Sequence, residues 1–197
     1  MTTIRLRAIL PLLAALAIFP ASTQAQEAKA EEKTQAIKAA RGMLELQVPE
    51  SWKRSSKRST IIEYEFFAPA DAKDAESRAR ITMMASGGTI KQNIERWYGQ
   101  FQQPDGGSTK DRAKVKEFKA DGQTVHWVDI TGNFQERMGG GPFSGGKTVT
   151  RTDHRMLGAI IVAGRLQYFV KMTGPAKVCE ELAEGFKKML ENLDYQG

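Results

Sequence analysis

Three features of the sequence predict an α+β fold. Short segments alternate apolar and polar residues, two longer segments repeat apolar residues at helical spacing, and tight turn signals join most of the strands. Together they imply a mainly antiparallel sheet of about six to seven strands with two amphipathic helices packed on it. The expected order is strand, strand, strand, helix, then four strands and a final helix.

The first strand is carried by Leu44, Leu46 and Val48, which alternate with Glu45 and Gln47 until Pro49 ends the run. Trp52 follows, then a basic stretch at 53–58 that reads as a solvated connection. In the second strand Ile62, Tyr64 and Phe66 share one face, and Glu63 and Glu65 the other. In the third, Ile81, Met83 and Ala85 alternate with Arg80, Thr82 and Met84, and Gly87-Gly88 stops it. Thr89 is placed to cap a helix running to about Gln103, with Ile90, Ile94, Trp97 and Phe101 as its buried stripe. Pro104 to Gly107 terminates it.

Residues 115–120 form the next strand, and Asp121-Gly122 is a hairpin turn. The returning strand at 124–134 is apolar on both faces through Val125, Trp127, Val128 and Ile130, which places it inside the sheet. A glycine-rich connection covers 132–146, and the chain is extended again from Thr148. Residues 157–163 and 166–172 make a hairpin around Gly164-Arg165. Gly174-Pro175 opens the last helix, whose stripe is Val178, Leu182, Phe186, Met189, Leu190 and Leu193.

The N-terminus reads as a secretory signal. Arg5 and Arg7 precede an apolar run at 8–19, Pro20 breaks it, and Thr23 and Ala25 are small residues at the −3 and −1 positions, so cleavage is expected after Ala25. The apolar run is shorter than the ~20 residues that span a bilayer, which makes a retained membrane anchor the lesser reading. Residues 26–41 read as a polar tether or frayed helix, with Ile37 the one large apolar side chain, and residues 42–197 as a single domain. The product is expected in the periplasm or outside the cell.

Loss of residues 1–25 takes the formal charge from +6 to +4, a mild excess that does not indicate nucleic-acid binding. The single cysteine excludes an intrachain disulfide framework and a Cys-rich zinc site. Cys179 falls on the stripe of the last helix and is expected to be a buried, inert thiol.

Three segments carry a family likeness: L-Q-V-P-E-S-W at 46–52, N-I-E-R-W at 93–97 followed by Gln100-Phe101, and Y-F-V-K-M-T-G-P at 168–175 ahead of the terminal helix. With these the chain resembles the PsbP-like superfamily over residues 42–193, and within it uncharacterised exported bacterial members. The resemblance implies an antiparallel sheet with helices on its faces and non-enzymatic roles in docking or partner binding. It implies no functional residue here.

The stretch G-P-F-S-G-G-K-T at 141–148 fits the phosphate-binding P-loop pattern. That chemistry needs a helix immediately after the loop, whereas Thr148, Val149 and Thr150 read as strand, so the match is expected to be fortuitous. The same glycine-rich loop, with Arg137, Lys147 and Arg151 around it and Phe143 within it, is the candidate partner-binding site. A loop of this length is either functional or plain connection. The basic run at 53–58 is a weaker anion site. His126 lies in an apolar strand and His154 in a polar stretch; no G-x-S-x-G elbow accompanies them. Trp97 and Phe101 are expected in the core, with Asn93 and Arg96 off the buried stripe. The function expected is an exported, non-catalytic, monomeric domain without cofactor or metal, binding a protein partner or an anionic envelope component. The alternative is a small envelope hydrolase whose residues converge only in space.

Overall fold

The computed structural model describes residues 32–57, 59–138 and 147–197. The signal-like segment, Arg58, Phe143 and the glycines of the P-loop match lie outside them. Every pair of neighbouring strands is antiparallel, as the short connections require.

The described chain opens with strand β1 (Thr34–Ala39), which pairs with β2 (Leu44–Pro49) so that Ile37 faces Leu46 across the ladder. This corrects the reading of 26–41 as a tether or frayed helix over its second half. An edge strand needs only one apolar face, and Ile37 and Ala39 supply it; their burial outweighs the helix preference of Ala, Lys and Gln. The turn between the two strands runs through Ala40, Arg41 and Gly42 with φ of 55°, 61° and 86°. Only the last of these is free of the usual cost of that conformation. Ala40 N–H donates to Glu63 Oε2 at 3.2 Å, which holds the turn.

The second, larger sheet has eight strands. Along its main path lie β3 (Lys53–Arg54), β4 (Tyr64–Ala68), β5 (Ala79–Ser86), β10 (Leu166–Pro175), β9 (Lys147–Ala163), β8 (Gln123–Met138) and β6 (Phe101–Gln102), in that order. Strand β7 (Lys114–Ala120) pairs with β8 beside β6. β8 therefore has neighbours on both edges, as its two apolar faces predict. The hairpin of β8 and β9 is longer than expected: pairing continues to Met138 and Lys147, past a register shift between Gly132 and Phe134.

Helix α1 (Ile90–Tyr98) carries the predicted Thr89 cap, closed reciprocally by Gln92. It stops at Gly99 instead of Gln103. Phe101 follows Trp97 at helical spacing, yet it reaches the core from β6, where it pairs with Phe134 at a ring separation of 5.2 Å. A short helix α2 (Thr109–Arg112) precedes β7, and α3 (Ala176–Glu191) and the short β11 (Asp194–Tyr195) end the chain. β11 pairs with β2 and completes a small three-stranded sheet.

The alternation along the strands divides the interior. One face of the large sheet, through residues such as Met83, Leu157, Ile161, Val170 and Met172, packs against the small sheet and α3. The other face, through Val128, Ile130, Met156, Ile160 and Phe169, packs against α1. Residues 32–197 form one compact unit.

Candidate functional site

Helix α1 has nine residues and is about 13 Å long, too short to cover its whole face of the sheet. The uncovered part is a groove with a volume of about 430 Å³. Its floor is strand residues of the parity opposite to the face packed on α3: Thr82 and Met84 from β5, and Phe169, Lys171 and Thr173 from β10. The register sets Lys171 opposite Thr82 and Thr173 opposite Arg80, so these four form one patch across two paired strands. The wall toward α1 is Arg96, Trp97 and Gln100; the far end is Phe134, Glu136 and Arg137 from β8 with Arg151 and His154 from β9.

Cations outnumber carboxylates in this lining, and the carboxylates are engaged. Arg151 binds both Glu136, at 2.9 Å, and Glu76, and its bond to Glu136 holds the guanidinium firmly protonated. Arg80 Nε donates to Glu65 Oε1 at 2.6 Å. Burial, the largest single influence, would raise the Glu65 carboxyl; the hydrogen bonds from Arg80 and Ser55 and the charges of Arg80 and Lys57 together outweigh it and keep that carboxyl below the usual range. The Arg78 guanidinium lies 4.3 Å from the centre of the Phe67 ring. Among the described residues, Arg96 and Arg137 have no carboxylate partner.

Lys171 is the unusual member. Its Nζ donates to Gln100 Oε1 at 3.3 Å, and among the described residues no carboxylate bonds it. Burial first, and the charge of Arg80 second, pull its ammonium down to about 8. Two residues along the same strand face, the buried Thr173 Oγ1 has no hydrogen-bond partner. At Lys171 the folded chain therefore binds fewer protons than the unfolded chain between pH 8 and the ordinary lysine value of 10.5, and this group by itself makes stability rise with pH. The gain ends near pH 9, where Cys179, whose thiol burial pushes up to about 12, begins to ionise in the unfolded chain alone, and Tyr98 and Tyr168, whose hydroxyls burial also pushes upward, follow near pH 10. Thermal melts are expected to shift upward from pH 8 to 9, and less so in Lys171→Met; equal profiles would show that Lys171 is not the group responsible.

Of the residues singled out from sequence, Arg137 and Arg151 line this groove. Lys147 begins β9, paired with Met138, and is exposed outside the lining. Phe143 lies outside the described residues. The P-loop pattern runs directly into strand β9 at Lys147. Trp97 and Phe101 are core, as read, and Asn93 Nδ2 donates to the loop carbonyl of Gly87 at 3.0 Å. Arg80, Thr82, Lys171 and Thr173 were legible only as the polar side of two strands. The signal that could have found them is the lysine set inside the apolar run at 166–172.

The hydrolase alternative asks for convergence of a histidine with a carboxylate and a nucleophile. His154 stacks on Phe134 and, among the described residues, hydrogen-bonds only the Thr152 carbonyl, at 2.9 Å. His126 pairs with Glu117 at 2.9 Å on the β7 edge. Cys179 lies across the sheet in the α3 core, where its Sγ meets the Arg155 carbonyl at 3.4 Å and burial pushes the thiol up to about 12. The described residues contain no group of three or more His, Cys, Asp or Glu placed to hold a metal ion, and no helix long and apolar enough to cross a membrane.

Fold and groove together define an antiparallel α+β domain with a cationic cavity beside a short helix. No protein-family model and no curated protein matches the chain. Among solved structures it is similar to cyanobacterial PsbP (CyanoP) from Synechocystis sp. PCC 6803, with a TM-score of 0.49 and 9% identity over 86% of this chain and 96% of that one. It is similar also to LpqN of Mycobacterium tuberculosis, described as involved in cell envelope biogenesis, with a TM-score of 0.46 and 8% identity over 85% and 88% of the two chains. A third is PA94 of Pseudomonas aeruginosa, a protein of unknown function, with a TM-score of 0.46 and 10% identity over 83% and 98%. Likeness at this level concerns overall shape, and the groove is read on its own chemistry.

Proposed function

We propose that the protein is an exported, non-catalytic domain that binds an anionic partner or envelope component in the groove beside α1. The observation that carries this reading is the excess of cations there, with Lys171 held partly buried against an amide oxygen and no carboxylate. A buried charge without a counter-ion is costly, and a ligand that brings the counter-ion recovers that cost. The groove takes over the role first given to the glycine-rich loop, and it keeps Arg137 and Arg151 of that set.

The reading is tested with Arg96→Glu combined with Arg137→Glu. Neither arginine has a carboxylate partner among the described residues, so their reversal is expected to leave the fold intact. Wild type is expected to retain a component from bacterial envelope extract that the double variant does not, and that salt releases. Equal retention by the two proteins, or none by either, would remove the groove from the function.

A further inference from the structure

We infer that the floor of the groove is a buried anion subsite, in which one carboxylate or phosphate group of a small ligand seats between Lys171 Nζ and Thr173 Oγ1, with Arg80 at its edge. This rests on the groove reading above and narrows it from an anionic partner in general to a small acid that enters the cavity. Lys171 and Thr173 are two positions apart on one face of β10, about 7 Å along the strand. Both are donors with unfilled capacity: Nζ has a single 3.3 Å bond, and Oγ1 has none. An oxyanion group offers at least two acceptor oxygens, one for each of these donors. The size agrees: a cavity of about 430 Å³ is in the range of small-molecule sites. The apolar walls from Met84, Phe169, Phe134 and the edge of Trp97 suit an acid with an apolar or aromatic body.

The charged groups around Lys171 come from every side. β5 brings Arg80, itself paired with Glu65 of β4. α1 brings Arg96. β8 and β9 bring Glu136, Arg137, Arg151 and His154, of which Glu136 and Arg151 are bonded to each other. No described carboxylate is left over to serve Lys171. An anion at the floor would hold the ammonium charged, so binding takes up a proton wherever the free lysine is neutral. For a carboxylate, affinity is then constant from pH 6 to about 8 and weakens tenfold per pH unit above it, until the pKa of the bound state is reached.

The test measures binding of benzoate, phenyl phosphate, inorganic phosphate and poly-L-glutamate to the chain by calorimetry and amide NMR, from pH 6 to 10. It compares wild type, Lys171→Met, Thr173→Val and the Arg96/Arg137 double reversal. The methionine variant removes a buried charge and keeps an unbranched side chain only one heavy atom shorter, so it is expected to fold and melt no lower than wild type. Benzoate and phenyl phosphate should bind wild type and lose at least tenfold in Lys171→Met, with the pH dependence lost as well and a smaller loss in Thr173→Val. Preference for one of the two organic acids identifies the carboxylate or the phosphate as the group held. Small acids that bind Lys171→Met as tightly as wild type would overturn the subsite and leave the groove reading in place. So would binding of poly-L-glutamate alone, abolished by the double reversal. Binding of no probe by wild type would overturn both.

Discussion

Phe186→Ala is expected to cost the domain about 3–5 kcal/mol, the largest loss from any single truncation on α3. Phe186 is fully buried where three elements meet. Its ring lies 6.3 Å from Trp52, just beyond β2, and 5.7 Å from Trp127 on β8, and Trp52 in turn meets Phe66 of β4 at 6.4 Å. This chain of rings ties the end of the small sheet to the face of the large one through the helix. Each neighbour is anchored on its own backbone, so a void left by Phe186 cannot close by moving one side chain, and the cavity contribution stays near its upper range. For a domain of this size the melting temperature should fall by roughly 10 °C. Denaturant unfolding followed by tryptophan fluorescence reads the effect, since Trp52 and Trp127 report on the same site. Leu182→Ala, on the same helix but only half-buried, should cost clearly less. Equal losses for the two variants would mean that the aromatic tie contributes nothing beyond the apolar area of α3.

The parts of this architecture that the sequence announces are those where local pattern and tertiary environment agree. The stripe Val178, Leu182, Phe186 and Met189 has helical spacing and is used as a helix face. Val125, Trp127, Val128 and Ile130 occupy both faces of β8, and β8 is interior. The failures have a common cause, which is that the deciding contact lies far along the chain. β1 carries little apolar area of its own and is a strand because β2 offers it a ladder. Phe101 completes a helical i, i+4 pair with Trp97, yet pairing with Phe134 on β8 draws it into β6. The groove is harder still to read. Arg80, Thr82, Lys171 and Thr173 belong to strands about ninety residues apart, and each alternation is equally satisfied by a solvated face. What makes that face a cavity is the length of α1 and the reach of the β8–β9 hairpin, neither of which is a property of the residues lining it. Composition, as in the glycine-rich loop, is visible in one dimension, and concavity is not.

Gly158→Val is expected to destabilise the chain by about 1–3 kcal/mol and to disorganise the groove along with it. Gly158 does not need glycine for its backbone. It lies in the middle of β9, paired with Lys171 on one side and Val128 on the other, and valine favours such a position. The constraint is Trp97: a Cβ on residue 158 would stand 2.6 Å from Cζ3 of that ring and 3.1 Å from Cε3 and Cη2. The indole cannot retreat, because it packs edge-on against Phe169 at 5.4 Å and is carried by a helix whose stripe is otherwise buried. The helix must lift instead. Arg96 and Gln100 go with it, and Lys171 loses the amide oxygen that now receives its ammonium. Two readouts follow: a lower unfolding free energy, and loss of any ligand binding that depends on Lys171. A cycle separates the clash from other causes. Trp97→Leu alone should destabilise by leaving a void above Gly158, and adding Gly158→Ala to it should refill part of that void. The double variant should then lose less than the two single losses together, by an interaction of about 0.5–3 kcal/mol. Strict additivity would mean that the glycine and the indole do not constrain each other, and that the wall of the groove is set by something other than this contact.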